Sequence, residues 1–331
     1  MRQAPVLVTG GAGYIGSHTV RALQEREVPV VVLDNLSTGH AASVTAPLEV
    51  VDLADRAALA AVFARHAPAA VIHFAARAYV GESVVDPARY YRENVVNTLN
   101  LLEAMRASEC QRIVFSSTCA TYGEPVELPI SEAHPQAPIN PYGRTKLHME
   151  HMMQDFSHAY GLRTAALRYF NAAGAHRGGA IGEDHRPETH LIPLVLEVAL
   201  GQREEIAMFG DDYDTRDGTC ERDYIHVEDL AEAHLAALAH LETSMENLVA
   251  NLGTGRGFTV REVVETARRV TGREIAARVA PRRAGDPAKL VSGGTVARAV
   301  LGWEPARSDL ETILEDAWRW HVARPSGYGD A

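Results

Sequence analysis

Short apolar runs alternate with longer segments of helical periodicity through the first half of the chain. Strands are predicted at residues 6–8, 28–33, 48–53, 71–76, 112–118 and 164–169, and helices at residues 17–23, 55–66, 87–108 and 142–160. An alternation of strands and helices of these lengths predicts an α/β fold built on a doubly wound parallel sheet.

The alternation weakens after Asn171, where loops rich in glycine and histidine interrupt it. Beyond that point, helices are predicted at residues 191–200, 227–241, 259–270 and 310–321, and strands at 222–227 and 248–253. The change of pattern indicates two units. We expect a sheet domain of residues 1–170 plus 223–255 and a smaller C-terminal α/β lobe of residues 171–222 plus 256–331.

Three glycines follow the first predicted strand and open the first helix. At Gly10 and Gly13 a side chain would keep a pyrophosphate away from backbone N–H groups, and Gly16 lets the helix pack closely on the strand. The helix N-terminus adds its positive dipole. The second strand leads to Asp34, which can bind both ribose hydroxyls of NAD and would repel the extra phosphate of NADP. The sheet domain is therefore predicted to be a Rossmann-like NAD-binding domain, although a glycine turn without a ligand is the simpler alternative.

Composition excludes several other classes of protein. The 331 residues carry a formal charge of −11, which disfavours nucleic-acid or anionic-membrane binding and requires local arginines for any anionic substrate. The spacing of Cys110, Cys119 and Cys220 fits neither a disulfide framework nor a zinc site, so no metal is expected. No apolar run approaches the roughly eighteen residues of a membrane span, and the first strand begins close to Met1. We therefore expect no membrane span, no signal peptide and a cytoplasmic location.

Tyr142 and Lys146 are four residues apart and share one face of a predicted helix. The positive charge of Lys146 favours the ionised form of Tyr142, so the phenol could act as a base near neutral pH, and an oxidised nicotinamide would act in the same direction. Taken alone, such a pair is more often a solvated helix face. The upstream glycines favour catalysis, and Thr118, at the end of a predicted strand, could bind the reacting hydroxyl.

Together these motifs resemble the extended short-chain dehydrogenase/reductases and, within them, the UDP-glucose 4-epimerases. The resemblance covers nearly the whole chain and rests on residues 10–18, 34–35, 73–75, 80–83, 115–123, 142–146, 168–171, 222–227 and 282–286. It implies reversible C4 epimerisation of UDP-glucose and UDP-galactose, in which NAD transiently oxidises the sugar and then returns the same hydride. It also implies a homodimer formed through the helices at 87–108 and 142–160.

The same resemblance implies a role for each matching position. Catalysis would rest on Thr118, Tyr142 and Lys146. The NAD site would comprise Gly10, Gly13, Tyr14, Ile15, Gly16, Asp34, Asn35, Asp52, Leu53, Phe74, Ala75, Ala76, Asn94, Tyr142, Lys146 and Tyr169. The UDP-sugar site would comprise Thr118, Tyr142, Asn171, His190, Leu191, Arg222, Arg283, Asp286 and Leu290. For the two arginines, a surface ion pair with a nearby aspartate is an equally good interpretation of the spacing.

The residues after Thr118 distinguish between the reactions of the superfamily. Relatives that dehydrate or decarboxylate nucleotide sugars carry an acidic residue there, because expelling water or moving a second proton needs a general acid or base. Here Cys119 and Ala120 follow. The site is therefore equipped for reversible oxidation, and epimerisation needs nothing more.

Other positions leave the substrate open. Leu290 and the loop at residues 174–187 are compatible with an N-acetylhexosamine, a pentose or a uronate in place of glucose. Ala78 stands where some members have a lysine near the cofactor phosphates, and Arg77 is the expected substitute. A dinucleotide-sensing regulator without catalysis is the alternative from another class, and the presence of all three catalytic candidates disfavours it.

Overall fold

The computed structural model describes residues 4–283 and 287–329, and a parallel seven-stranded sheet lies at its centre. In chain order the strands are β1 (Val6–Thr9), β2 (Val30–Asp34), β3 (Leu48–Val50), β4 (Ala70–His73), β5 (Arg112–Thr118), β6 (Arg163–Tyr169), β7 (Asn171–Ala173), β8 (Ile206–Phe209), β9 (Glu221–Arg222), β10 (Tyr224–His226), β11 (Leu248–Leu252), β12 (Phe258–Thr259), β13 (Ala277–Ala280) and β14 (Lys289–Leu290). The central sheet has the order β11-β6-β5-β4-β1-β2-β3. The predicted doubly wound α/β fold is confirmed.

Helices cover both faces of this sheet, and further helices pack together in the C-terminal part of the chain. They are α1 (Tyr14–Glu25), α2 (Arg56–His66), α3 (Val80–Val85), α4 (Pro87–Tyr90), α5 (Asn97–Ala107), α6 (Pro141–Tyr160), α7 (Leu191–Ala199), α8 (Val227–Thr243), α9 (Val260–Thr271), α10 (Thr295–Leu301) and α11 (Leu310–Ala323). Capping residues in the sequence determine where several of these helices begin. The Asp55 carboxylate, for example, accepts hydrogen bonds from the backbone N–H groups of Ala57 and Ala58 and so caps α2 as the sequence predicts.

Alternation of side chains along the strands explains how the sheet buries both of its faces. Val6 and Val8 of β1 pack on one face with α1 and α8. Leu7 packs on the opposite face with α2, α5 and α6. A third hydrophobic cluster lies apart from the sheet, among α7, α9 and α11. Beside it lie the short strands, paired as β7 with β10, β8 with β13, and β9 with both β12 and β14.

The structure refines the predicted elements in two ways. The helix predicted at residues 87–108 consists of α4, a π-helical segment at Tyr91–Val96 and α5, joined without a break in the helical backbone. The sequence pattern does not predict helices α3 and α10 or the strand pair β8–β13. Segments of four to seven residues are too short to show a clear helical or strand periodicity in hydrophobicity. Within the described part of the chain, no helix is both long and apolar enough to span a bilayer.

Candidate active site

A cavity of about 520 Å³ opens at the carboxyl ends of the central strands. Its walls include residues at or just after the ends of five of these strands: Gly10, Asp34, Phe74, Thr118 and Tyr169. Open parallel sheets bind ligands at this edge, because the loops that follow the strands diverge there. The cavity is the candidate active site.

The glycine turn between β1 and α1 has no room for side chains. Gly10 has a φ of +69°, and a Cβ there would lie 2.5 Å from the backbone nitrogen of Ala75. A Cβ at Gly16 would lie 2.2 Å from the carbonyl oxygen of Gly10. Helix α1 begins after Gly13 without a side-chain cap, and its first residues line the cavity. This arrangement fits the pyrophosphate of a dinucleotide, which binds backbone N–H groups and the positive end of a helix dipole.

Acidic and amide side chains line the cavity beyond β2. The Asp34 carboxylate accepts hydrogen bonds from the N–H groups of Ala12, at 3.0 Å, and Leu36, at 2.8 Å, so its orientation is fixed. Burial raises the pKa of Asp34, and these two hydrogen bonds act in the opposite direction. The side-chain amide of Asn35 donates to Asp52 at 2.7 Å. Asp34 is thus held in a fixed orientation at the end of β2, the position where the sequence predicts the ribose of NAD, and Asp52 lines the same cavity.

Helix α6 carries the tyrosine and the lysine into the cavity. Asn140 caps it by accepting a hydrogen bond from the N–H of Gly143 at 2.8 Å, and Pro141 occupies its first turn. Lys146 is buried, and its Nζ donates to the carbonyl oxygen of Ser116 on β5 at 2.8 Å. Burial lowers the pKa of Lys146 to about 7, although the charge of Glu150 opposes the change.

Burial also raises the pKa of Tyr142, with a smaller increase from Tyr169, while a hydrogen bond with Thr118 lowers it. Burial therefore favours the neutral phenol. The role of Lys146 in favouring the ionised phenol stays a prediction. An oxidised nicotinamide carries the additional positive charge that the phenolate requires.

The structure brings most of the predicted site residues to the walls of this one cavity. Those that line it are Gly10, Gly13, Tyr14, Ile15, Gly16, Asp34, Asn35, Asp52, Leu53, Phe74, Ala75, Ala76, Thr118, Tyr142, Lys146, Tyr169, Asn171, His190, Leu191, Arg222 and Leu290. Asn94 lies behind the wall, where its side chain binds the backbone of Arg77 and the hydroxyl of Thr145. Asn94 is not among the cavity-lining residues, and its predicted contact with NAD stays a prediction.

One predicted substrate residue lies away from the cavity walls, and another cannot be located. The guanidinium of Arg283 sits 4.3 Å from the centre of the Phe209 ring and is not among the cavity-lining residues that the structure describes. Asp286 lies outside the described residues. Arg77, expected to replace the lysine absent at Ala78, lines the cavity, but its Nε donates to Glu93 at 2.5 Å. That pairing directs its charge toward the protein.

A group of titratable residues lies in the wall near α7, and of its four members the sequence analysis predicted only His190. Glu183 and His185 line the cavity together with His190, and Glu188 lies against both histidines. Burial opposes the charge of the two imidazoles, but the two carboxylates outweigh it and raise the pKa of His185 to about 9 and that of His190 to about 10. The alternation of glutamate and histidine within residues 183–190 is the sequence pattern that could have indicated this group.

Comparison with known proteins agrees with this site. Residues 6–253 match the NAD dependent epimerase/dehydratase family. The chain belongs to this family. It is 55% identical to the UDP-glucose 4-epimerase of Halalkalibacterium halodurans over 98% of this chain and 97% of that protein.

Two solved epimerases have the same fold. The chain is 53% identical to UDP-glucose 4-epimerase from Brucella ovis in complex with NAD, with a TM-score of 0.94 and coverage of 96% of this chain and 98% of that one. It is 38% identical to the enzyme from Bifidobacterium longum in complex with NAD+ and UDP, with a TM-score of 0.93 and coverage of 98% and 99%. As a member of an NAD dependent family, this epimerase-family chain uses NAD as its cofactor.

Proposed function

We propose that the chain is a UDP-glucose 4-epimerase, which interconverts UDP-glucose and UDP-galactose. The observation that carries the proposal is the meeting of the glycine turn with Thr118, Tyr142 and Lys146 in one cavity. The 55% identity to a named UDP-glucose 4-epimerase over nearly the full length points to the same activity.

Each catalytic side chain has a task that its position supports. Tyr142 takes the proton of the C4 hydroxyl and later returns it, while Thr118 hydrogen-bonds the same oxygen. Lys146, held on the Ser116 carbonyl, stabilises the phenolate. NAD held by the glycine turn would supply the acceptor and donor of the C4 hydride, so the reaction would need no external oxidant. Neither Cys119 nor Ala120 is a carboxylate, and burial raises the pKa of the Cys119 thiol to about 12, so no second acid or base stands beside Thr118.

The UDP portion is proposed to bind on the lobe side of the cavity. Asn171, Leu191, Arg222 and Leu290 line that side together with His190. Arg222 brings a cation to a protein of formal charge −11, and a guanidinium suits phosphate oxygens. Roles for Arg283 and Asp286 in holding phosphate and ribose remain part of the proposal. The division into residues 1–170 plus 223–255 and residues 171–222 plus 256–331 is also part of the proposal. The separate cluster formed by α7, α9 and α11 supports it, although Ala297 and Trp303 pack with the central sheet.

Incubation of the purified protein with UDP-galactose, without added NAD or reductant, is expected to yield UDP-glucose. NMR of the anomeric protons would follow the conversion, and absorbance of the filtrate would show no free NADH. The same assay with UDP-N-acetylgalactosamine is the control for substrate class. Conversion of the N-acetylated sugar alone would contradict the proposed substrate and keep the reaction, whereas failure with every UDP-sugar would contradict the reaction itself.

A homodimer in the cytoplasm completes the proposal. Apolar side chains are exposed along α3 and the helical segment that follows it: Val84, Val85, Tyr91, Val96 and Leu99. A row of this kind beside α6 suits an interface between two copies. All three cysteines are free thiols, the form that a reducing compartment maintains.

The substitution Val96→Glu is expected to weaken this dimer by about 10²-fold, because a buried unpaired charge in an apolar interface costs several kcal/mol. Light scattering after size-exclusion chromatography would then report a mass near 35.9 kDa instead of twice that value. Val126→Glu, at a position that is 77% exposed and away from these helices, is the matched control. A dimer unchanged by Val96→Glu would place the interface elsewhere.

A further inference from the structure

The loop before α7 gathers four metal-binding side chains at one point. Glu183, His185, Glu188 and His190, here called the 183–190 cluster, each offer one ligand atom, and these atoms all lie within 4.8 Å of one another. His190 Nδ1 is 2.7 Å from Glu183 Oε1 and 3.1 Å from Glu188 Oε1. His185 Nδ1 is 3.1 Å from Glu183 Oε1.

These short distances are not all hydrogen bonds. Glu183 Oε1 and His185 Nδ1 are buried and have no hydrogen-bond partner among the described residues, although each lies beside other members of the cluster. Only 5% of the Glu183 side chain is exposed. Buried polar atoms of this kind require a partner. The four groups surround one space, which is where a cation would lie after displacing the protons of the two imidazoles.

The surroundings hold these ligands in place. Glu188 Oε1 accepts hydrogen bonds from the N–H groups of Thr189, at 2.7 Å, and His190, at 2.8 Å. The backbone carbonyl of Glu183 accepts a hydrogen bond from the indole of Trp320 at 3.1 Å. The His185 ring packs edge-on against two tyrosine rings. Support of this kind around the ligands is typical of metal sites.

We propose that the 183–190 cluster binds one divalent cation of the zinc type. Two imidazole nitrogens and two carboxylate oxygens form a donor set that zinc accepts, and the two carboxylates neutralise its charge. Tetrahedral ligands about 2.0–2.1 Å from zinc lie roughly 3.4 Å apart. The pairs at 2.7 and 3.1 Å would therefore move apart and the more distant pairs would move closer, with no change larger than about 1.4 Å. Four protein ligands fill the coordination shell, which gives the ion a structural role in fixing the cavity wall and the start of α7.

The test is metal content of the NAD-bound protein after chelation, incubation with Zn²⁺ and dialysis. We expect about one zinc per chain by mass spectrometry, and visible d–d absorption of tetrahedral geometry when Co²⁺ is used instead. The substitutions Glu188→Gln and His185→Gln are expected to weaken binding at least about tenfold to hundredfold. His66→Gln, which alters a similar histidine and glutamate pair 2.7 Å apart between α2 and β3, is the matched control and is expected to retain the metal.

Thermal unfolding gives a second readout that does not depend on activity. Zinc at about 100 times its Kd would stabilise the native protein by roughly 2.7 kcal/mol, an effect absent in Glu188→Gln. Less than one tenth of an ion per chain, or equal binding by the wild type and both cluster variants, would overturn the proposal and leave the cluster as a network of ion pairs. Both outcomes are read from metal content and unfolding and not from turnover, so failure of the metal proposal is distinguishable from failure of the epimerase proposal even though His190 belongs to both sites.

Discussion

Replacing Tyr142 by phenylalanine is expected to lower kcat by about 10²–10⁴-fold, the range over which a positioned acid or base accelerates a reaction. The substitution removes the only group that the proposed mechanism uses to take the C4 proton, and leaves the ring to fill its buried position. Steady-state rates with UDP-galactose measure kcat. The NAD content of the purified variant shows whether the glycine turn still holds the cofactor.

The matched control is Tyr160→Phe, at the exposed end of the same helix, which removes an identical hydroxyl far from the cavity. It is expected to keep full activity. If Tyr142→Phe kept wild-type kcat with a full complement of NAD, the phenol would not be the base, and proton transfer would have to pass through another group.

The central sheet could be predicted because its strands carry a strong local signal. Val6 and Val8 pack on one face and Leu7 on the other, so a run that is apolar throughout indicates a strand covered on both sides. The glycine turn could also be predicted from the sequence, because glycine is required at Gly10 and Gly16, where a Cβ would clash with backbone atoms. In both cases the local structure is determined by residues that are close together in the sequence.

The parts that could not be predicted depend on contacts between distant segments. The position of the Asn94 side chain depends on its hydrogen bond with Thr145, which is 51 residues away along the chain. The sequence spacing of the two residues does not indicate that contact. The raised pKa of Tyr142 follows from burial, which depends on all the segments that pack around its side chain. The 183–190 cluster is local in sequence, but its histidines and glutamates converge only because the backbone of this loop is held by α11.

A buried ion pair lies between helix α6, which carries Tyr142 and Lys146, and strand β6. Arg168 of β6 and Glu150 of α6 are only 4% and 2% exposed, and the guanidinium binds the carboxylate through two hydrogen bonds of 3.0 and 2.5 Å. Tyr122 and Ser117 complete the network. Neither member of the pair lines the cavity, yet the charge of Glu150 raises the pKa of Lys146 against the effect of burial.

The substitution Glu150→Gln is expected to lower the free energy of unfolding by about 3–5 kcal/mol, because it leaves the Arg168 guanidinium buried without a counter-charge. Urea unfolding of the NAD-bound protein, followed by circular dichroism, would measure the loss. The double substitution Glu150→Leu with Arg168→Met should recover much of that stability, since an apolar pair of similar volume carries no desolvation cost.

Glu265→Gln provides the comparison, since it removes the same charge from an exposed pair with Arg268 on α9. Its expected cost is at most about 1 kcal/mol, because water already solvates both partners. An equal loss in Glu150→Gln and Glu265→Gln would mean that water reaches the buried pair. The double variant separates the two contributions further: recovery of stability without recovery of activity would show that the Glu150 charge serves Lys146, because the apolar replacement restores packing but not the field that favours the ammonium.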